Sequence, residues 1–498
     1  MEVGFLDTTF RDGSQSLWAM GIRHGMMEPI AEDMDRSGFD FIEVPANPIF
    51  FKKMVRDLKE DPWELMKMLA AKMPNTPKSC MGAGLNINPL GAPNPAEIGK
   101  LFWAHLVDMG ALQRIQMIGN TMDQLTREFP TVIPILKDVG LKIAIALSYS
   151  ISPRHTDEHY AEKTRQAEAL KPDYIYLKDQ GGMLTVDSVR TLIPIIMENA
   201  KGIPFELHSH CTTGMAPSVY MEALKLGVKT LHTGVPPLAQ GSAQPSVLNV
   251  ARNARNIGYT LKLDEILLES ISKRLTEFAN HDNMPLGEPT DYDNAQFVHQ
   301  IPGGVISNLR FQLAGMGLES QLDEVISETV QIRKDLGYPI MITPYSQHIC
   351  TQATLNVASG ERYKVVIDEM IRFAQGVFGE DSGYLEMEQN LKDRLLSLPR
   401  AVDLTKRGYM PAEDITVQQA RDRLGMPHIS DEELLLRTIM QGEQEIDTMR
   451  AAGPPKTYIG TGLPLRKLME ELNKCDSIRY VQVQNGTDKI MLKNRASA

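Results

Sequence analysis

The sequence of 498 residues predicts an α/β fold, in which a (β/α)8 barrel is followed by a mainly helical domain. Three observations support this prediction. Eight short apolar runs recur before about residue 275, a segment with helical patterning follows each run, and helical stretches dominate beyond that point. Strands that alternate with helices pair in parallel, because parallel neighbours need a crossover connection. Eight such units favour a closed barrel, and an open doubly wound sheet is the alternative.

The predicted strands are short, and each is bounded by residues with helical or turn character. They are GFLDTT at 4–9, FIEVPA at 41–46, SCMGAG at 79–84, RIQMIG at 114–119, KIAIAL at 142–147, YIYLKD at 174–179, PFELHS at 204–209 and TLHTGV at 230–235. Segments such as DPWELMKMLAAKM and HYAEKTRQAEAL lie between the runs and have the spacing of amphipathic helices. The barrel is therefore predicted to occupy residues 1–275.

Two further regions follow the barrel. Helical stretches such as LDEVISETVQIRKDLG predict a mainly helical domain over residues 276–455. One of its helices is predicted to begin after Ser430, a capping residue with Glu433 three positions on. Residues 456–498 are predicted to form a small tail with a helix and a hairpin, because Asn485 and a glycine separate two strand-like runs.

Composition excludes several classes of protein. Hydrophobic residues make up 42% and charged residues 23%, which is typical of a globular protein that buries a large core. A net charge of −11 argues against nucleic acid as a partner. The sequence has no apolar run long enough to span a bilayer, and its start lacks the features of a signal peptide. Four scattered cysteines are consistent with a reducing compartment, so we expect a cytoplasmic protein.

Polar residues at the predicted strand ends form a candidate metal site. Active sites of such barrels lie at the carboxyl ends of the strands. His208 and His210 are two apart on an extended segment, which points both imidazoles to the same side. A lone histidine there would more often be a core residue, but Asp12 adds a carboxylate from across the barrel. This set of nitrogen and oxygen donors predicts a divalent metal ion, namely zinc, cobalt or manganese.

Lys178 ends the sixth predicted strand, close to the two histidines. A protonated amine at this place would repel a cation, so something must neutralise it. The sequence leaves three interpretations open: an ordinary salt bridge to Asp179, a Schiff-base lysine, or a lysine carboxylated on its amine. A pKa lowered by burial and by a nearby cation would favour the last two.

Six motifs together resemble a known family. They are LDTTFRDGSQSLWA, YLKDQGGML, ELHSHCTTG, AQGSAQPS, IPGGVISNL and MITPYSQHICTQA. The sequence resembles the carboxyltransferase subunits of transcarboxylase and oxaloacetate decarboxylase and the matching domain of pyruvate carboxylase, from about residue 3 to about 450. The resemblance implies a TIM barrel and a C-terminal carboxylase-type helical domain.

The resemblance also implies roles for individual residues. Asp12, His208, His210 and a carboxylated Lys178 would bind the metal. Arg11 and Gln15 would line the pocket, and Ser242 falls where the family has a threonine that moves a proton between substrate and biotin. The implied enzyme is a homodimer or larger oligomer.

Biotin is expected to arrive on another polypeptide. The implied partners are a biotin carboxyl carrier protein and a biotin carboxylase subunit, together with a small-molecule acceptor. Met66-Lys67-Met68 copies the core of a biotin-acceptor sequence, but ELMKMLAAKM has helical spacing. A solvated helix lysine is therefore predicted at Lys67, because biotin acceptors lie on exposed turns.

The sequence departs from the family pattern in the expected substrate pocket. Met81 stands where the family's third strand has an arginine that binds the carboxylate of a 2-oxo acid, and Met117 falls in a fourth strand that has an acidic residue in the family. Ser14 replaces a histidine of the first motif. The loss of a bidentate carboxylate anchor predicts an acceptor other than pyruvate, less acidic or bulkier.

Two alternative functions stay open. The first is a metal-dependent aldol or Claisen lyase or an acyl transferase, which would resemble HMG-CoA lyase or isopropylmalate synthase. Those enzymes share a similar opening motif and the paired histidines, whereas Lys178 and MITPYSQ favour carboxyl transfer. The second is a scaffold subunit of a biotin-enzyme complex.

Overall fold

Eight parallel strands close into a barrel in the computed structural model, which describes residues 1–82, 84–88, 94–407, 414–458, 480–485 and 488–493. The strands are β1 Glu2–Asp7, β2 Phe41–Glu43, β3 Lys78–Gly82, β4 Arg114–Gly119, β5 Lys142–Ser148, β6 Tyr174–Asp179, β7 Phe205–Ser209 and β8 Thr230–Thr233. Closure is complete because β1 pairs with β8 on one side and β2 on the other. The predicted closed barrel is confirmed, and each observed strand overlaps its predicted run.

Helices connect successive strands and cover the outside of the barrel. They are Ser14–Trp18, His24–Met27, Ala31–Arg36, Pro48–Lys53, Pro62–Lys72, Ala96–Asp108, Phe129–Asp138, Asp157–Ala169, Val186–Asn199, Ala216–Lys225, Val247–Asn256 and Glu265–His281. Local sequence explains several of their starts. Thr185 and Ser188 form a reciprocal capping box, and the Asp61 side chain accepts from the Trp63 amide. Such caps satisfy backbone N–H groups that the helix leaves unpaired.

Strand alternation places large polar side chains inside the barrel. The Arg114 guanidinium lies 4.6 Å from the ring centre of Phe41 and 4.4 Å from that of Tyr174. It also makes a two-pronged ion pair with Glu206, with contacts of 2.6 and 2.9 Å. Ala144 on β5 is small and leaves space for these groups. The interior is therefore packed with paired charges as well as apolar side chains.

A second hydrophobic core lies in the helical region between residues 301 and 404. Its helices are Ala295–His299, Gly303–Met316, Leu322–Asp335, Tyr345–Ser359, Asp368–Ala374, Gln389–Ser397 and Pro399–Arg407. Arg333 fastens this region to the loop after β5, because its guanidinium donates to Ser150 Oγ at 3.0 Å and to the Ile151 carbonyl at 3.2 Å. The predicted helical domain is confirmed, and it lies at the carboxyl ends of the barrel strands.

Three further helices follow: Val417–Arg423, Asp431–Met440 and Glu443–Ala451. Leu434, Leu435 and Ile439 belong to the barrel core rather than to the second core. The Trp63 indole donates to the Glu432 carbonyl at 3.0 Å, and the Ser430 side chain caps its helix as expected. The division at residues 276 and 455 stays a prediction, since these last helices pack on the barrel.

The tail and Lys67 can be compared with their predictions. Strands Tyr480–Asn485 and Asp488–Lys493 pair antiparallel, as expected of a hairpin. The predicted tail helix, as well as the glycine of the turn, falls outside the described residues. Lys67 lies in helix Pro62–Lys72 with 45% of its side chain exposed, and it pairs with Glu64 and Glu432. Among the described residues, no helix is both long and apolar enough to cross a membrane.

Gly303 is a point where the helical domain packs tightly against the barrel mouth. It is the first residue of helix Gly303–Met316, and a Cβ atom added there would lie 2.8 Å from Ser242 Cβ. Glycine lets this helix start directly over the loop after β8. Gly315 in the same helix has open space around it.

We expect alanine at these two glycines to have opposite effects on stability. Gly315→Ala should raise the midpoint of thermal unfolding, because alanine is favoured over glycine inside a helix by about 1 kcal/mol. Gly303→Ala should lower it, since the new methyl group meets Ser242. Calorimetry on both variants measures the shifts. A rise of equal size for Gly303→Ala would contradict the close packing described here.

Candidate metal centre

Four polar side chains from three strand ends meet at the mouth of the barrel. Asp12 lies in a short π-helix, Thr9–Gly13, that begins two residues after the end of β1. Lys178 is next to last in β6 and pairs in register with His208 on β7, while His210 comes one residue after β7. Carboxyl ends of parallel strands lie at one edge, so residues far apart in sequence become neighbours.

The distances among these groups suit a metal ion. Asp12 Oδ2 lies 3.4 Å from His208 Nε2, Asp12 Oδ1 lies 3.8 Å from His210 Nε2, and the two Nε2 atoms are 3.1 Å apart. Each residue can direct one ligand atom to a common point, since these atoms all lie within 4.8 Å of one another. Lys178 Nζ is 3.3 Å from both Asp12 Oδ2 and His208 Nε2. A buried carboxylate with two imidazoles fits a divalent cation such as zinc, cobalt or manganese.

His210 presents a bare Nε2 atom to this point, and the Nε2 atom of His208 faces the same point. His210 Nδ1 is 2.6 Å from the Ser242 carbonyl oxygen, which only accepts, so Nδ1 carries the proton. His208 Nδ1 is 3.1 Å from His232 Nδ1. Burial lowers the pKa of both His208 and His210, which keeps the imidazoles neutral. Neutral imidazole is the form that binds metal.

Lys178 pairs with Asp12 and not with Asp179. The Asp179 carboxylate instead accepts from the amides of Met183 and Leu184, each at 2.9 Å, and from the Ser209 hydroxyl. The structure therefore does not contain the salt bridge between Lys178 and Asp179 that was one of the three interpretations. Lys178 pairs with Asp12 instead. Burial lowers the pKa of Lys178, although the Asp12 charge opposes this shift. At a given pH, a larger fraction of Lys178 is therefore in the neutral amine form than for an exposed lysine.

Arg11 is held by two carboxylates. Its guanidinium makes a two-pronged contact with Glu43 at 2.8 and 2.9 Å and donates to Asp12 Oδ2 at 2.9 Å. Burial alone would raise the pKa of Asp12, but the charges of Arg11 and Lys178 hold it well below its usual range. Arg11 thus keeps Asp12 ionised and oriented. Its remaining nitrogen, Nη1, lies 4.0 Å from the Met81 sulfur.

The other predicted pocket residues differ in where they lie. Gln15 is half-buried in helix Ser14–Trp18 and makes no hydrogen bond to the metal-binding side chains among the described residues. The Ser242 hydroxyl donates to the Ser16 carbonyl at 2.8 Å, and its backbone fixes His210. Met81 is half-buried beside Arg11. These residues border the mouth of the barrel.

Met117 is not brought to the site. It is buried in the core between the strands and the outer helices. The reason is the alternation of β4, in which Arg114 and Gln116 point to the barrel interior. Ile118, the next residue in phase with them, packs against interior residues such as Tyr176. The position that faces the pocket on this strand is therefore Ile118.

Sequence reasoning missed the polar groups beneath the ligands. Tyr176 donates to Gln116 Oε1 at 2.8 Å, and Gln116 donates to Glu43, which holds Arg11. The signal was available in the strand period, because Arg114 and Gln116 are two apart in β4. Glu206 likewise shares a strand face with His208. Polar residues at alternate strand positions indicate a polar barrel interior.

Comparison with known proteins places the chain in a family. A family model described as HMGL-like matches residues 2–273, more than half of the chain. The chain belongs to the HMGL-like family. A second model, described as a conserved carboxylase domain, matches residues 297–457 of this HMGL-like chain.

Individual relatives agree with this assignment. The HMGL-like chain is 34% identical over 380 residues to a pyruvate carboxylase subunit of Methanocaldococcus jannaschii, covering 76% of this chain and 66% of the relative. It is 29% identical to the 2-oxoglutarate carboxylase large subunit of Hydrogenobacter thermophilus, covering 86% and 66%. The chain thus spans slightly less than two thirds of the length of these curated relatives. The resemblance to biotin-dependent carboxyltransferases is confirmed.

Solved structures share the fold. The carboxyl transferase domain of Rhizobium etli pyruvate carboxylase superimposes with a TM-score of 0.77 at 20% identity, covering 100% of this chain and 84% of that one. The similarity extends over the barrel and the helical domain together, so the two regions of this HMGL-like chain form an arrangement that occurs in known proteins.

We expect Glu43→Gln to destabilise the barrel strongly. The variant keeps the shape of Glu43 but removes one of the two carboxylates that compensate the buried Arg11, and breaking a buried ion pair typically costs about 3–5 kcal/mol. Urea unfolding monitored by tryptophan fluorescence measures the loss.

Glu64→Gln is the matched control. Glu64 pairs with Lys67 and its side chain is 63% exposed, so this substitution should cost less than about 1 kcal/mol. Equal, small effects of the two variants would show that the barrel does not depend on the pair of Arg11 and Glu43.

Proposed function

We propose that this chain is the carboxyltransferase component of a biotin-dependent carboxylase, which moves a carboxyl group from carboxybiotin to a small acceptor. The observation that carries the proposal is the position of Lys178, a buried amine inside a set of metal-binding side chains. Two further findings support it. Residues 297–457 match the conserved carboxylase domain, and the relatives from Methanocaldococcus jannaschii and Hydrogenobacter thermophilus are both named as carboxylase subunits.

Lys178 is the fourth metal ligand in this proposal. Its neutral amine attacks CO2, an N–C bond forms, and one proton leaves, which gives an anionic carbamate. The lowered pKa of Lys178 favours this step, because only the unprotonated amine reacts. A protonated Lys178 would repel a metal ion next to His208 and Asp12. The carbamate places a negative charge there instead and removes this repulsion.

Asp12, His208, His210 and carboxylated Lys178 would hold a zinc, cobalt or manganese ion. When bound, the ion stabilises negative charge that develops on the acceptor oxygen. The chain's own residues prepare this site. Arg11 orients the Asp12 carboxylate, and the Ser242 carbonyl keeps His210 in the tautomer that binds metal.

Ser242 is the proton-transfer residue. Carboxyl transfer replaces a proton on the acceptor carbon by CO2 and returns one proton to biotin, so a proton must pass between the two. The Ser242 hydroxyl lies in the loop after β8 at the barrel mouth, where it donates to the Ser16 carbonyl. A positioned hydroxyl of this kind typically contributes about 10²–10⁴-fold to the rate.

Biotin arrives on a biotin carboxyl carrier protein that a biotin carboxylase subunit charges, and the complex is at least a homodimer. The environment of Lys67 supports an external biotin, since this lysine is part of a helix and pairs with two glutamates. Cys80, Cys211 and Cys350 are buried and free, which supports a cytoplasmic location.

The acceptor is less acidic or bulkier than pyruvate. Arg11 borders the pocket with Gln15, but its Nε and Nη2 atoms already donate to Glu43 and Asp12. Met81 presents a thioether beside it and cannot bind a carboxylate. One relative is named for pyruvate and another for 2-oxoglutarate, so 2-oxo acids are the acceptors to compare.

The function is tested by following labelled CO2. The purified chain with cobalt should transfer label from a carboxylated biotin carrier to at least one member of a panel of small acceptors. Lys178→Gln should lower this rate by about 10²-fold or more, because the ligand and the charge balance are lost. Ser242→Ala should lower it by a similar factor, whereas Ser242→Thr keeps the hydroxyl and the activity.

Lys67→Gln is the control, because it changes a surface lysine far from the ligands and should leave transfer unchanged. Native mass spectrometry of the wild-type chain should show an added mass of one CO2 that Lys178→Gln lacks. Biotin-independent cleavage of an acyl-coenzyme A substrate, without label transfer, would instead support a lyase, the other class suggested by the HMGL-like match.

A separate experiment identifies the acceptor. We expect neutral carbonyl and amide compounds to give a kcat/KM at least about tenfold above that for pyruvate, since each missing charged hydrogen bond removes about 1.5–3 kcal/mol. Rates for pyruvate, 2-oxoglutarate and the neutral compounds are measured side by side. Turnover of pyruvate that equals the best neutral acceptor would contradict this assignment.

A further inference from the structure

A row of hydrogen-bonded, buried polar side chains extends from the metal site into the barrel interior. His232 on β8 lies with its Nδ1 atom 3.1 Å from His208 Nδ1. On its other side, His232 Nε2 is 2.9 Å from Glu206 Oε2. Glu206 in turn makes the two-pronged pair with Arg114. His232 and His208 are fully buried, so water does not offer either imidazole a different partner.

With a neutral imidazole on His232, the donors and acceptors of these buried groups can be assigned in only one way. The Glu206 carboxylate accepts from Arg114 and therefore accepts from His232 Nε2 as well. A neutral imidazole has one N–H, so His232 Nδ1 is left as an acceptor. Two facing Nδ1 atoms need one proton between them, and His208 must supply it. His208 then has a bare Nε2 atom, which faces Asp12 and His210.

We propose that Glu206 and His232 are positioning residues that hold His208 in the tautomer and orientation required for metal binding. This inference rests on the metal centre of the proposed function. The two histidine ligands are thus held in different ways. The backbone carbonyl of Ser242 fixes His210, whereas side chains fix His208. Outer partners of metal-binding histidines typically change metal affinity by about 10–100-fold when they are replaced.

The test compares two substitutions of His232. His232→Leu removes the acceptor for His208 Nδ1–H. His232→Gln can restore the pattern, because an amide oxygen accepts from His208 and an amide N–H donates to Glu206. The affinity of the purified chain for Co²⁺ is measured by competition with a chelator, and the d–d absorption of Co²⁺ reports the ligand geometry.

We expect His232→Leu to weaken Co²⁺ binding by about 10–100-fold and to alter the absorption spectrum, while His232→Gln retains most of the affinity. His155→Leu is the matched control. It removes a half-buried histidine whose Nδ1 atom contacts Ser152, away from the metal site, and it should bind Co²⁺ like the wild-type chain.

A second measurement does not depend on how the variants fold. Spectra of the metal-free wild-type chain with ¹⁵N-labelled histidine should show His208 protonated at Nδ1 and His232 protonated at Nε2. The opposite tautomer of either residue would overturn the inference. Equal Co²⁺ affinity of His232→Leu and the wild type would overturn this inference and leave the proposed metal centre intact. A wild-type chain that binds no Co²⁺ would overturn the metal centre as well.

Discussion

The buried contact between Arg11 and Glu43 is the interaction on which the rest of the site depends. A guanidinium in the barrel interior is tolerable only when carboxylates compensate it, and Glu43 does so with two hydrogen bonds. This arrangement fixes the donor that orients Asp12. Because Gln116 and Tyr176 support Glu43 from below, the position of one ligand is determined through three strands.

A second series of contacts reaches the cluster through His208. Arg114, Glu206 and His232 connect the lower barrel to His208. Both series consist of groups that cannot be left unpaired in a low-dielectric interior, so each constrains the next. The result is a site with little freedom before any ligand binds. Such preorganisation lets electrostatic groups act on a reaction without first rearranging.

The fold and the positions of the candidate ligands were largely predictable, because each depends on short-range patterns. Strand runs and the paired histidines can be recognised from local alternation, as the overlap of predicted and observed strands shows. The environment of Lys178 was not predictable, since its contact with Asp12 instead of Asp179 depends on barrel closure. Met117 was placed on the wrong face because the phase of β4 is set by Arg114 and Gln116. His232 meets Glu206 only through the register of β7 and β8.

The helices that follow the barrel strands contact the barrel near both ends of their stretch of sequence. At one end Gly303 packs on Ser242, and at the other the helix Asp431–Met440 lies in the barrel's own core. A region that contacts the barrel at one place can rotate about that contact, whereas contacts at two places restrict the rotation. Because the Ser242 carbonyl also orients His210, a displacement of Gly303 towards the barrel would move one of the candidate metal ligands.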